Sequence, residues 1–233
     1  MKQALKCWLV LLLGAVSCAP AFAGEAPAAH TIVLVRHGQY LQESHGDERT
    51  GMGLSPLGVA QARLAGARLA GQPGRIDGFH ASPLRRARET AAVIGDSLPQ
   101  HHFEIDEDLA ECTPPTRRAE AMADEKPADL AACTAQLERS FARYFRPATG
   151  SERTDLLVCH GNVIRYLVTR ALGVDPQAWL EMSVGHASVT VIRVQPDGRM
   201  KVIAIGDVGH LPPDMLTGAT GDPERSLEVP PLR

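Results

Sequence analysis

Apolar positions along this chain follow two rhythms that take turns. Ile32-Val33-Leu34-Val35 is an unbroken apolar run, and Leu156-Leu157-Val158 repeats it much later. Such short runs, bounded by polar residues, are what strands buried on both faces look like. Between them apolar residues recur at helical spacing. After Asn162, the positions Val163, Ile164, Leu167, Val168, Ala171 and Leu172 keep one face, and Gly173 is a natural stop. The alternation predicts strand 31–36, helix 55–70, short strand 77–80, helix 84–97, strand 102–105, helix 127–145, strand 154–159 and helix 162–172. Helix 55–70 opens with Ser55 as N-cap and Pro56 in its first turn, and closes at Gly71. The end of the chain changes rhythm. Ser188–Val194 and Met200–Ile205 alternate apolar and polar around Pro196-Asp197-Gly198, which predicts a hairpin and an antiparallel strand. The expectation is a three-layer α/β/α sandwich with a mostly parallel, mixed sheet. Segments 24–29 and 46–53 and the tail after Pro212 are expected to be loose.

Chemistry gathers where the strands end. The first apolar run breaks into Arg36-His37-Gly38, which puts an imidazole and a guanidinium at the C-terminal edge of a sheet, where open α/β sheets bind ligands. Glycine beside the histidine lets a small anion approach the backbone. For the tripeptide alone, a buried histidine beside a solvated arginine is the better reading. Three further features turn the balance. Cys159-His160-Gly161 repeats the strand–histidine–glycine pattern and sets His160 beside a helix N-terminus, where free N–H groups favour an anion. Ser82-Pro83-Leu84-Arg85-Arg86-Ala87 is a strand-to-helix junction with arginines in the first helical turn. A bound anion explains Arg86 there better than helix propensity does. Asp108-Leu109-Ala110-Glu111 places an acid in a loop after a predicted strand.

Arg-His-Gly, Ser-x-Leu-x-Arg-Ala, Glu and His-Gly, in that order, resemble the histidine phosphatase superfamily (branch 1, phosphoglycerate mutase-like), from about Thr31 to Leu216. Within it the chain is most similar to the phosphoglycerate mutase family member five type, serine/threonine protein phosphatases. That likeness rests on Arg36-His37-Gly38-Gln39-Tyr40, Leu54-Ser55-Pro56-Leu57-Gly58, His160-Gly161-Asn162-Val163-Ile164-Arg165-Tyr166 and Gly206-Asp207-Val208-Gly209-His210-Leu211-Pro212-Pro213-Asp214. The chain departs from that type in carrying Gly38 where serine can stand, and Gly161 where alanine can.

The resemblance implies a metal-independent phosphatase that hydrolyses phosphate monoesters through a phosphohistidine, with no cofactor. A phosphate monoester needs positive donors of fork geometry, which Arg36 and Arg86 supply, and the Gly161 and Asn162 amides are candidate helix-terminus donors. The sequence alone does not rank His37 over His160 as the nucleophile; the family pattern implies His37, with His160 stabilising the transferred group. Glu111 occupies the family's Leu-x-Glu place and is the expected general acid, with its pKa raised. Asp106, Glu107 and Asp108 are its competitors. His80 is expected behind the site, and His186 either at the pocket mouth or as an ordinary loop histidine. His101 and His102, like Arg117 and Arg118, read as surface pairs. Phosphoserine or phosphothreonine in protein and phosphorylated small molecules are all compatible partners. A phosphoglycerate mutase is less favoured because Gln39-Tyr40-Leu41 replaces the mutase's acidic and polar set. The acid phosphatase/phytase branch, which carries Arg-His-Gly-x-Arg-x-Pro and a His-Asp pair, is less favoured because this chain has Tyr40-Leu41-Gln42 after its Arg-His-Gly and Gly161-Asn162 after His160. A non-catalytic module that only binds phosphorylated ligands is the rival from a different class.

Composition narrows the setting. Lys2 and Lys6, the apolar stretch Trp8 to Val16 and Ala21-Phe22-Ala23 read as a signal peptide, residues 1–23, cleaved after Ala23. That run is too short for a comfortable membrane span, so the expected product is periplasmic or secreted. Lipidation at Cys18 is the minor alternative. The net charge of −3, more acidic once the two lysines go, argues against nucleic acid. Residues 24–233 fit a single α/β domain. Of five cysteines, Cys112, Cys133 and Cys159 would remain. A Cys112–Cys133 disulfide competes with three small buried thiols, and Cys159 is expected to pack on a central strand. No Cys/His set has metal-ligand spacing, so no metal is expected.

Overall fold

The computed structural model describes residues 25–42, 47, 49–72, 74–98 and 101–218. The expected leader, Cys18 and the chain beyond 218 lie outside them. Among the described residues eight strands form: β1 (Pro27–Ala28), β2 (His30–Arg36), β3 (Gly78–Ala81), β4 (Glu104–Ile105), β5 (Ala148–Thr149), β6 (Arg153–Cys159), β7 (Val189–Val194) and β8 (Met200–Asp207). Six of them make one sheet in the order β4-β3-β6-β2-β7-β8, while β1 and β5 pair separately. β4, β3, β6 and β2 run parallel, and β7 and β8 join antiparallel. Around β2 the register sets Val33 opposite Leu156 of β6 and Val191 of β7.

Alternation along the central strands divides the core between two faces. Ile32 and Leu34 of β2 pack with Leu157 and Cys159 of β6 beneath helices α3 (Pro127–Tyr144) and α4 (Gly161–Leu172). Val33, Val35, Leu156 and Val158 face α1 (Pro56–Ala70) and α2 (Arg85–Gly95). This is the three-layer α/β/α sandwich with a mixed sheet. The caps explain the helix limits: Ser55 Oγ accepts from Gly58 N at 3.0 Å, Pro56 takes the first turn, and Gly173 ends α4 with φ at 67°.

Three local readings change. Helix 84–97 ends at Gly95, because Ser97 N and Leu98 N turn back onto Ile94 O and Gly95 O. Strand 102–105 shortens to β4, because its neighbour β3 pairs with it only at His80 and Ala81. The loose segments are firmer than their glycine and proline suggest. Pro27–Ala28 pairs with β5, and residues 215–217 are held by Gln61. Turn-forming residues mark where a chain bends, and distant partners decide whether the bend is pinned. Cys112 and Cys133 are disulfide-bonded, with Cα atoms 5.6 Å apart, and Cys159 is a buried free thiol on β6.

Candidate active site

Four parallel strands deliver their C-terminal ends to one region. β2 ends in Arg36 and leads into His37, β6 leads into His160, β3 leads through Ser82 to Arg86, and β4 leads to Glu111. His37 N donates to Cys159 O at 2.9 Å, which ties the β2 end to the β6 end. The turn after β2 fits only against glycine. A Cβ on Gly38 would lie 2.5 Å from Gly58 O, and one on Gly58 would lie 1.9 Å from Gln39 O. The β2 turn and the first turn of α1 therefore press backbone on backbone. Gln39 N is fixed by Gln61 Oε1 and Gln39 Oε1 by the Ser55 hydroxyl, both at 2.8 Å.

His37 is 2 % exposed. Its Nδ1 lies 2.8 Å from Gly38 O, a group that can only accept, so Nδ1 carries the proton. The Nε–H of Arg86 donates to Nε2 at 3.3 Å, so Nε2 presents a lone pair. Burial first, then the charges and rings of His160, Arg36, His186 and Arg86, hold the His37 pKa well below 6.5 and the ring neutral.

Around this ring stand two more imidazoles. His160 lies 5.0 Å from it between ring centroids and His186 5.4 Å. His160 caps α4, and its Nε2 is 2.6 Å from Ser82 Oγ. Burial, then Arg86 and Arg36, depress its pKa well below 6.5. His186 places Nδ1 2.9 Å from Thr217 Oγ1, and burial brings its pKa down to about 3. Arg36 donates from Nη1 to Val184 O and Gly218 O, each at 2.7 Å, and burial lowers its pKa to about 10 while Glu111 opposes the shift. Arg86 lies over the Tyr40 ring at 5.0 Å.

Glu111 has its pKa raised by burial, against the pull of Arg36, Arg165 and Arg86 and a hydrogen bond from Asn162 N. Four buried atoms in this region have no hydrogen-bond partner among the described residues: Arg36 Nε, His160 Nδ1, His186 Nε2 and Glu111 Oε1. Buried polar atoms are normally satisfied. A cluster of them around one imidazole lone pair, beside two guanidiniums, is a place for a multiply hydrogen-bonding anion.

The structure thus brings Arg36, His37, Arg86, Glu111 and His160 together, with Gly161 against Arg36: a Cβ there would sit 3.4 Å from its Cζ. Asn162 behaves differently from the expected anion donor. Its backbone N–H is bonded to Glu111, its Nδ2 donates to Cys112 O and its Oδ1 accepts from Arg165. It serves the acid loop. Asp106 and Asp108 point away from the site, into contacts with Tyr144, Arg143 and Arg139. His80 is buried against the Tyr144 ring, and Arg118 pairs with Glu181. Sequence reasoning passed over Arg165, Gln61 and Thr217. A buried arginine lying 5.2 Å over Trp179 carries no local signal. Among the described residues no group of side chains has a metal-binding arrangement, and no helix is long and apolar enough to cross a membrane.

The family model of the histidine phosphatase superfamily (branch 1) matches residues 32–205, and the chain belongs to that superfamily. It is a phosphatase, which sets aside the module that only binds. Among curated relatives, the serine/threonine-protein phosphatase Pgam5, mitochondrial, of Caenorhabditis elegans is 38% identical over 198 residues, covering 83% of this chain and 68% of its own length. The PGAM5 protein of Homo sapiens, of the same description, is 34% identical over 199 residues with the same coverage. Among solved structures, the phosphoglycerate mutase from Plasmodium falciparum superposes with a TM-score of 0.56 at 26% identity, covering 79% of this chain and 95% of its own. The relatives are mitochondrial, which corrects the periplasmic or secreted location, and the Cys18 anchor with it. A basic start and an apolar run mark a targeting pattern without fixing the membrane that reads it.

Proposed function

We propose that the chain is a metal-independent phosphomonoesterase that works through a phosphohistidine on His37 and acts on phosphoserine and phosphothreonine in proteins. The observation that carries the mechanism is the His37 tautomer, with Nδ1–H spent on Gly38 O and the Nε2 lone pair facing Arg86. A neutral, oriented imidazole is the form that attacks phosphorus. Arg36 and Arg86 hold the phosphoryl oxygens, and Nδ1 of His160 and Nε2 of His186 are further contacts for the oxygens that gain charge. As the His37 Nε2–P bond forms, the bond from phosphorus to the ester oxygen breaks. Glu111, kept protonated by burial, gives that oxygen its proton. In the second half Glu111 takes a proton from water as the water attacks phosphorus, and phosphate and neutral His37 are regenerated.

The substrate class is supported by the activity in the relatives' names. Its test is a panel of phosphoserine and phosphothreonine peptides run beside 3-phosphoglycerate and sugar phosphates. The reading expects the highest kcat/KM for the phosphopeptides. A small metabolite turning over faster than every peptide contradicts it.

A further inference from the structure

Helix α3 runs antiparallel to residues 106–112 and holds that segment once per turn. Arg143 Nη1 and Tyr144 Oη donate to Asp106 Oδ2, at 2.9 and 2.5 Å. Arg139 Nη2 donates to Asp108 Oδ1 at 2.7 Å, and Gln136 Nε2 donates to Ala110 O at 2.8 Å. The last contact is the Cys133–Cys112 disulfide. Positions 143, 139, 136 and 133 step by three or four residues and so share one helix face, while their partners step by two residues toward the catalytic pocket. Glu111 sits between the final two contacts, with its backbone gripped on both sides.

The contacts differ in strength along this rail. Asp108 meets an arginine whose side chain is 61 % exposed, and such a pair holds little. Gln136 contributes neutral hydrogen bonds. Of the two contacts that flank the acid, the one at Cys112 is covalent. It also sets the other wall of the Glu111 position, because Asn162 Nδ2 donates to Cys112 O at 3.1 Å while Asn162 N–H bonds Glu111. A shift of Cys112 therefore reaches Glu111 through the chain and through Asn162 together.

We propose that the Cys112–Cys133 disulfide is a positioning element for Glu111, so that its reduction removes acid assistance to the leaving oxygen while phosphate binding and attack by His37 persist. This rests on the reading of Glu111 as the general acid. Reduction by a dithiol such as dithiothreitol moves two electrons and two protons to Cys112 and Cys133, giving two thiols and the oxidised cyclic dithiol. The side chains that hold phosphate, Arg36, Arg86, His160 and His186, follow from β2, β3, β6 and the segment before β7. α3 reaches that set through Glu138, which accepts from Tyr166 and Arg170 of α4 and lies more than one helical turn from Cys133. A misplaced acid damages only those reactions whose leaving group needs a proton.

The experiment compares a phosphoserine peptide with p-nitrophenyl phosphate, whose nitrophenolate leaves with little help. Both are measured on oxidised enzyme, on dithiothreitol-reduced enzyme with thiols verified by alkylation and mass, on reoxidised enzyme, on Cys133→Ser and on Glu111→Gln. The expected result is a loss of about tenfold or more on the peptide, within about twofold on p-nitrophenyl phosphate, after reduction and in Cys133→Ser. The alkaline limb of the pH profile flattens in both, and reoxidation restores only the wild-type chain. Reversible reduction keeps the test alive if Cys133→Ser does not fold. Equal losses on both substrates, or none on the peptide, overturn the inference while Glu111→Gln still discriminates between them. If Glu111→Gln itself does not discriminate, the acid assignment fails and the positioning role falls with it.

Discussion

Single residues divide the labour at this site according to what surrounds them. His37 and Glu111 are both buried, and burial pushes them opposite ways, the imidazole toward its neutral base and the carboxyl toward its neutral acid. That pairing is what nucleophilic attack with proton donation requires. Glu111→Gln keeps the shape and removes the proton, so it should lose about 10²–10⁴-fold in kcat on alkyl phosphates and far less on p-nitrophenyl phosphate. Steady-state rates on the two substrates check it, and equal losses would mean that Glu111 places the phosphate instead. Arg36, His37, Arg86 and His160 were legible in the sequence because each sits in a short motif at a strand end or, for Arg86, in the first turn of the helix that follows one. His186 was only one of several histidines, because its approach to His37 depends on a loop that returns from far along the chain. Asn162 was legible as a position and misread as a role, since its partners, Glu111 and Cys112, come from another loop.

At the scale of elements, close backbone approach decides how the catalytic turn is held. α1 and the turn after β2 meet through Gly38 and Gly58, and Gln61 carries the contact on to Met215 and Thr217. Gly58→Ala would drive a methyl into Gln39 O, where neither backbone can yield cheaply. It should destabilise by about 3 kcal/mol and lower Tm by roughly 6–12 °C for a chain of this size. Calorimetry or a dichroism melt reads this, and an unchanged Tm would show that α1 can retreat without loss. The helices were readable because their caps and apolar stripes are local. The pairing of β1 with β5 and the docking of residues 215–217 were not. Both are made by long-range hydrogen bonds from segments whose own composition signals only turns.

For the whole molecule, gathering neutral histidines and arginines at one sheet edge costs stability in acid. His186 is held down to about 3, and His37 and His160 well below 6.5, so all three stay neutral in the fold. In the unfolded chain each takes up a proton near its ordinary value of about 6.5. Below that pH the unfolded state binds more protons, so stability falls as pH drops from about 6.5 toward 3. Urea unfolding should show a lower midpoint at about pH 5 than at about pH 7.5, and His186→Asn should narrow the gap; a gap that His186→Asn leaves untouched would assign the acid sensitivity elsewhere. The α/β/α layering was legible from the alternation of strand and helix rhythms, and it is what brings residues from 36 to 186 to one point. The claim that depends on all of this is phosphoryl transfer through His37, and trapping the enzyme during turnover tests it most directly. With a radiolabelled phosphomonoester and excess EDTA present, denaturing quench should yield a phosphoenzyme that is labile in acid, stable in alkali, mapped to His37 and absent from His37→Ala. Label on His160, label that survives in His37→Ala, or turnover abolished by the chelator would contradict it.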